Sequence, residues 1–247
     1  MTQALVIGGG RGIGAAIVDA LARAGHDVTF TTRTADPAPR LAALAERHPS
    51  QTFASHPLDL ADRAAVETLA THIEDATYAI LVHVAGTTYD RLAAMMEQDP
   101  AETLMQVNFW SFTRLARAAI RPMTRAKSGR IIAIGSVVGA QASQGNAAYG
   151  ASKAALSAYV KTLALETARR GVTVNCIAPG FVETDMIAAF ADYRKATESR
   201  IPAGRYATPE EIAAVAAFLA SPAASYVTGT VIPVDGGLTA SLGIPRS

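Results

Sequence analysis

Short, nearly continuous apolar runs alternate with longer stretches of helical character along the whole chain, and this alternation constrains the fold more than any other feature. The runs are Ala4–Ile7, Val28–Thr32, Thr52–Leu58, Ala79–Val84, Arg130–Ile134, Val172–Ile177 and Thr230–Val234. Most are too uniformly apolar for a strand with one wet face, and read as strands buried on both faces of a parallel sheet. Between them lie the helical stretches Ile13–Ala24, Leu41–Arg47, Arg63–Glu74, Ala101–Arg125, Tyr149–Arg169 and Pro209–Ala220. Strands linked in this way predict a doubly wound α/β sheet of the Rossmann type, about seven parallel strands with right-handed crossovers and helices on both faces. No linker or repeat interrupts the pattern, so residues 1–247 read as one domain, with Asp36-Pro37-Ala38-Pro39 a local loop. Met186–Pro202 is polar and irregular and follows a strand's C-terminal end. It reads as a mobile substrate lid, with a plain surface excursion as the alternative.

Half of the residues are apolar, enough for a large core. The formal net charge of +1 exerts no general pull on nucleic acid or on an anionic membrane. The single cysteine, Cys176, excludes an internal disulfide and reads as a small core residue in a reducing, cytoplasmic setting. The first residues lack a basic segment followed by a long apolar one, and no apolar run reaches the length of a membrane span. No cluster of histidine, cysteine and carboxylate suggests a metal; His83 stands apart from any such group. Trp110 and Phe109 read as packing or subunit contacts, and Met95 and Met96 as gap fillers.

The first strand ends in Gly8-Gly9-Gly10-Arg11-Gly12-Ile13-Gly14 and feeds a helix. Such a turn lets backbone N–H groups approach a pyrophosphate, and the helix N-terminus adds favourable partial charge. Its context, after a strand and before a helix, is the one a dinucleotide fingerprint requires, although the spacing Gly8-x-x-x-Gly12-x-Gly14 departs from the common pattern. At the end of the second strand an acid would bind a ribose 2′-hydroxyl; Thr32 stands there, followed by Arg33. Arg33 and Arg11 therefore favour the 2′-phosphate of NADPH, with Asp36 turned away by the prolines after it. Asp59 and Leu60, after the third strand, are expected to frame the adenine; a capping role for Asp59 is the alternative.

Tyr149 and Lys153 lie one helical turn apart on one face. A tyrosine with a reference pKa of about 10 is a sluggish acid or base near neutrality, and a neighbouring ammonium is expected to lower it. Ser136, at the end of the strand that begins at Arg130, should face the same sheet edge, and Asn108 sits mid-helix, where an amide needs a partner.

Together, Asn108, Ser136, Tyr149 and Lys153 match in order and spacing the catalytic tetrad of the short-chain dehydrogenase/reductase family, which the chain resembles over essentially its whole length. Within that family it is most similar to the 3-oxoacyl-(acyl carrier protein) reductases, on the stretches Gly129–Gly139, Val172–Met186 and Ile201–Arg205. The resemblance implies that NADPH contacts Gly8, Gly10, Arg11, Gly12, Ile13, Gly14, Arg33, Asp59, Leu60, Ala85, Gly86, Tyr149, Lys153, Pro179, Gly180, Val182 and Thr184. It implies that Ser136 fixes a ketone oxygen, Tyr149 delivers the proton, Lys153 tunes the tyrosine and Asn108 positions a water. It further implies a homotetramer, and docking of an acidic acyl carrier protein near Lys127, Arg130, Arg169 and Arg170. The alternative for those cations is complementing two helix C-termini. Two departures stand out: Ile7 replaces the threonine before the first loop glycine, removing a bracing hydroxyl, and His83-Val84 replaces an Asn-Asn pair. They leave open a specialised relative in a secondary pathway. Reduction of acetoacetyl-CoA or of another ketone, and a silent dinucleotide sensor, are the competing readings.

Overall fold

The computed structural model describes residues 2–33, 36–185 and 194–240. Its sheet is built from β1 (Gln3–Ile7), β2 (Asp27–Thr32), β3 (Phe53–Pro57), β4 (Tyr78–His83), β5 (Gly129–Ile134), β6 (Val172–Pro179) and β7 (Val231–Val234). All seven are parallel, in the order β3-β2-β1-β4-β5-β6-β7. The order reverses beside β1, so the first and fourth strands part at their C-terminal ends and open the crevice where this topology binds ligands.

Helices α1 (Gly12–Arg23), α2 (Ala38–Arg47), α3 (Arg63–Asp75), α4 (Gln98–Met105), α5 (Ser111–Ala126), α6 (Ala147–Thr167), α7 (Arg194–Glu198) and α8 (Pro209–Ala220) complete the described part of the chain. Alternate strand residues explain their distribution. Leu5, Ile7, Leu81, Ile131, Val174 and Cys176 face a core closed by α3, α5 and α6. Ala4, Val6, Phe30, Val82, Ile132 and Ile177 face a second core closed by α1, α2 and α8. Both sides of β1 are thus dry, and each fully buried Leu or Ile contributes about 1.5–3 kcal/mol.

Three expectations are corrected. The helix expected over Ala101–Arg125 is interrupted: a π-turn, Gln106–Trp110, joins α4 to α5. Ala38 and Pro39 belong to the first turn of α2 rather than to a loop, because proline's fixed φ suits that position. Met95 and Met96 are exposed and fill no gap. Of the lid expected over Met186–Pro202, residues 186–193 lie outside the described residues; the remainder holds α7 and the buried Ile201. Among the described residues no helix is long and apolar enough to cross a membrane.

Candidate active site

β1 delivers the chain to the glycine loop. Gly8 takes φ +87°, a left-handed conformation that favours glycine, and a Cβ there would stand 2.8 Å from that of Ala85. Gly14 lies in the first turn of α1, where a Cβ would run into the carbonyl oxygen of Gly8. The loop is braced from the neighbouring strand: the N–H of Gly8 donates to Thr31 Oγ1 at 2.9 Å. The hydroxyl missing at Ile7 is therefore supplied by Thr31, while Ile7 itself is buried and its carbonyl accepts the N–H groups of Val84 and Ala85 at 2.9 and 3.0 Å. Arg11 is the N-cap of α1, and no side chain caps the helix's first N–H groups. Those donors and the positive end of the helix dipole face the crevice, a ready anion site.

The chain leaving β6 crosses above this loop. A Cβ on Gly12 would lie 3.3 Å from Thr184 Cγ2, and Arg11 pairs with Asp185 at 3.6 Å. Gly180 donates its N–H to Val234 at 3.0 Å and packs against Asp235, which fixes the turn after Pro179. Val182 is buried and bridges Ala207 where it lines the cleft.

Thr32 and Arg33 end β2, with Arg33 exposed. A Cβ on Gly10 would stand 2.8 Å from Thr32 Oγ1, so the loop carrying Arg11 packs directly on the strand end carrying Arg33. Asp36 turns onto its own backbone, accepting from the N–H of Ala38 at 3.0 Å. Asp59 is exposed and accepts from the N–H of Ala61; Asp62, not Asp59, caps α3. Leu60 is in the core, its carbonyl holding Gln106 Nε2 at 3.2 Å, so its side chain frames no adenine.

Ser136, Tyr149 and Lys153 converge at the ends of β5 and α6. Burial raises the Tyr149 pKa above its ordinary value; the nearby Ser136 hydroxyl opposes the rise and Asp90 adds to it. Lys153 is buried, donates to the Ile134 carbonyl at 3.0 Å and lies over the Tyr149 ring, 5.6 Å from its centre. Desolvation pushes its pKa down to about 8. The expected lowering of the tyrosine pKa by the ammonium is thus not what this arrangement produces. Burial dominates both groups.

Asn108 sits in the π-turn and is fully buried. Its Oδ1 accepts from the N–H of Thr87 at 2.9 Å, and its Nδ2 donates to the Thr87 carbonyl at 3.0 Å and to Ser152 Oγ at 3.1 Å. Ser152 in turn donates to the Tyr149 carbonyl at 2.7 Å. Through these partners the amide braces the site. Thr87 and Ser152 are site residues that the sequence reading missed; Ser152 lay in view between Tyr149 and Lys153, whereas Thr87 gave no signal.

Ser136, Tyr149 and Lys153 line one cleft of about 680 Å³ with Gly8, Arg11 to Gly14, Ala85, Gly86, Pro179, Gly180, Val182 and Thr184. A Cβ on Gly86 would stand 3.4 Å from both Asn108 Oδ1 and Lys153 Nζ. Gly10, Arg33, Asp59 and Leu60 do not line the cleft, and Asn108 lies behind its wall. The lining also includes the polar residues Asp90, Gln141, Ser143, Gln144, Asn146 and Arg200, beside the apolar Val138, Phe181 and Leu238, none of them expected from sequence. Arg91 ties two stretches of this lining, donating its N–H to the Gly145 carbonyl at 2.8 Å.

The basic clusters lie elsewhere. Lys127 follows α5 in a left-handed conformation, and its backbone abuts Gly171, next to Arg169 and Arg170 after α6. The two clusters are neighbours as expected, but they sit at the N-terminal ends of β5 and β6, the sheet edge opposite the cleft. Arg130 leaves the group: it is partly buried, with Nε unpartnered and one arm on the Gly129 carbonyl, and burial pushes its pKa down.

A glycine-cradled helix N-terminus beside a serine, a tyrosine and a lysine, at the switch point of a doubly wound sheet, defines a dinucleotide-dependent oxidoreductase site. The profile of the family described as Enoyl-(Acyl carrier protein) reductase matches residues 8–239. The chain belongs to the short-chain dehydrogenase/reductase family and is an oxidoreductase. It is 40% identical over 238 residues to the 3-oxoacyl-(acyl carrier protein) reductase FabG of Vibrio cholerae, covering 95% of this chain and 96% of that protein. The FabG of Escherichia coli K12 is likewise 40% identical, with the same coverage. Among solved structures, a provisionally assigned NAD(P)-dependent gluconate 5-dehydrogenase from Beutenbergia cavernae, with NADP bound at low occupancy, is 38% identical with a TM-score of 0.92, over 97% of each chain.

Proposed function

We propose that this enzyme reduces the 3-keto group of an acyl thioester borne by an acyl carrier protein, using NADPH, in fatty-acid or related biosynthesis. One observation carries the reading: Ser136, Tyr149 and Lys153 meet in the same cleft as the open N-terminus of α1. The residues present fit a dinucleotide, because Gly8, Gly12 and Gly86 line the cleft without side chains of their own. Gly8 to Gly14 would hold the pyrophosphate, and Arg11 and Arg33 the 2′-phosphate. Ala85, Gly86, Pro179, Gly180, Val182, Thr184 and Lys153 would hold the nicotinamide half. When bound, NADPH supplies the hydride.

The protein's own groups do the rest. Ser136 donates its hydroxyl to the ketone oxygen, fixing it and stabilising the developing alkoxide. Tyr149 stays protonated at neutral pH and gives its phenolic proton to that oxygen. Lys153, still largely charged below about pH 8, stabilises the phenolate left behind. Asn108 holds Thr87 and Ser152 so that the tyrosine and lysine keep their places.

Carrier docking at Lys127, Arg169 and Arg170 belongs to this reading only in an assembly. β5 runs six residues from the basic edge toward the cleft, about 20 Å at 3.3 Å per residue. The acyl group would therefore enter the cleft of a neighbouring copy. The exposure of Trp110, Leu165 and Tyr226 supports self-association, for which the homotetramer is the form proposed.

A second reading, reduction of a small polar ketone, is favoured by the amides and hydroxyls in the cleft lining and by the gluconate dehydrogenase likeness. NADPH consumption with acetoacetyl-carrier protein, acetoacetyl-CoA and a free polyhydroxy ketone separates the two. Tyr149→Phe should cost on the order of 10²- to 10⁴-fold in kcat and leave NADPH binding intact. Near-normal turnover by that variant would refute the catalytic reading.

A further inference from the structure

In a regular α-helix the carbonyl of Val107 would pair with the N–H of Ser111. Here that N–H goes one residue further back, to the carbonyl of Gln106, and this is what makes the turn a π-turn. The carbonyl of Val107 is released from its usual partner in a buried region, where a lone acceptor is costly. It accepts instead from Ser111 Oγ, at 2.7 Å. The Ser111 oxygen stands 3.0 Å from His83 Nε2 at the end of β4, with His83 1% and Ser111 0% exposed.

The direction of this chain follows from proton counting. The one hydroxyl proton of Ser111 is committed to Val107, so its oxygen accepts from the imidazole, and His83 carries a proton on Nε2. Phe112 stands edge to face with the ring at 5.5 Å and holds its plane. Burial, reinforced by the charge of Lys153, pushes the His83 pKa down to about 3, so the ring is neutral. A serine reaching back four residues usually loosens a helix; pinned by the imidazole, it becomes a fixed link. The residue after Val107 is Asn108, whose amide reaches Thr87 and Ser152 from this same turn. π-Turns inside helices are frequent at functional sites.

We propose that His83 is a positioning residue: through Ser111 it holds the freed carbonyl of Val107, locks the π-turn, and keeps the Asn108 amide on Thr87 and Ser152 beside Tyr149 and Lys153. This inference rests on the catalytic reading above, and it makes His83 part of the site's framework, not a relic of a lost asparagine.

The test uses the full-length enzyme and two readouts, NADPH-dependent ketone reduction and hydrogen exchange of the Thr87 amide, which Asn108 holds. His83→Leu is expected to lower kcat on the order of 10- to 100-fold, to leave the Kd for NADPH unchanged, and to speed exchange at Thr87. His83→Gln, whose amide N–H reaches about as far as imidazole Nε2, should restore both. In an Asn108→Ala background, His83→Leu should take nothing further from kcat. Wild-type exchange at Thr87 in His83→Leu, or losses in kcat that multiply with Asn108→Ala, would overturn the proposal. If His83→Leu does not fold, Ser111→Ala set against His83→Gln makes the same comparison. If the wild-type enzyme reduces no ketone, the catalytic reading fails while Thr87 exchange still decides the lock.

Discussion

The ammonium of Lys153 lies over the face of the Tyr149 ring, 5.6 Å from its centre, while it donates to the carbonyl of Ile134. Lys153 is buried and Tyr149 half-buried, and the loss of solvent acts on the two groups in opposite senses. Lys153 is pushed down to about 8, whereas Tyr149 is raised. Reduction needs a protonated tyrosine and a charged lysine. Below about pH 8 both conditions hold. As pH rises through the lysine's value its charge is lost first, while the tyrosine keeps its proton. The kcat/KM for reduction in the free enzyme should therefore be level near neutrality and fall above about pH 8. Lys153→Arg, permanently charged, should lose rate but also lose that fall. A wild-type profile that stays flat to about pH 9.5 would contradict the assignment.

How much of this was legible in advance depended on whether a signal was local. The strands were, because both faces of β1, β4, β5 and β6 are largely buried and their runs are mainly apolar. The convergence of Ser136, Tyr149 and Lys153 was, because the three lie close together along the chain. The brace on Gly8 was not: the replacement of a threonine at position 7 looked like a loss, and the compensating Thr31 lies a helix and most of a strand away. The π-turn was equally hidden. Gln106-Val107-Asn108-Phe109-Trp110 has ordinary helical composition, and only the tertiary partners Thr87, Ser152 and His83 make the extra residue worthwhile. The location of the basic residues was legible, but not which end of the sheet they occupy relative to the cleft.

Cofactor choice can be tested at the end of β2. Arg33 is exposed beside the loop that carries Arg11, and it, not a carboxylate, directly follows Thr32. A hydrogen bond to a charged group contributes roughly 1.5–3 kcal/mol, or about tenfold to a hundredfold in affinity. Arg33→Ala should lower kcat/KM for NADPH by about that factor and leave NADH nearly unaffected. Steady-state rates with both cofactors give the answer, and equal losses with the two would remove Arg33 from the phosphate site.

The brace from Thr31 makes a prediction about stability and binding together. Thr31→Val keeps the shape of a side chain that is 2% exposed and deletes the acceptor for the Gly8 N–H. An unpaired buried donor costs about 1–3 kcal/mol. The variant should melt earlier, and NADPH should bind more weakly because the loop that receives the pyrophosphate has lost its anchor. Calorimetry and a fluorescence titration measure the two effects. An unchanged Kd alongside a lower Tm would show that the hydroxyl serves the fold alone.

The last prediction concerns the basic edge. Lys127 and Arg170 lie at the N-terminal ends of β5 and β6, about 20 Å of strand from the serine that follows β5. A carrier protein docked there on one copy serves the cleft of another, so docking and assembly are coupled. The competing account is that Lys127, Arg169 and Arg170 complement the C-termini of α5 and α6 through the helix dipole. Charge reversal at Lys127 and Arg170 distinguishes them. Under docking, KM for an acyl-carrier substrate rises and loses its salt sensitivity, while a pantetheine thioester is reduced as before and Tm is nearly unchanged. Under the helix-end account, Tm falls and both substrates suffer alike. Mixed oligomers sharpen the test. When charge-reversed subunits with an intact cleft are combined with Tyr149→Phe subunits that keep the basic edge, activity on the acyl-carrier substrate should return toward wild type per intact cleft. Mixtures no better than the charge-reversed enzyme alone would rule out delivery between copies.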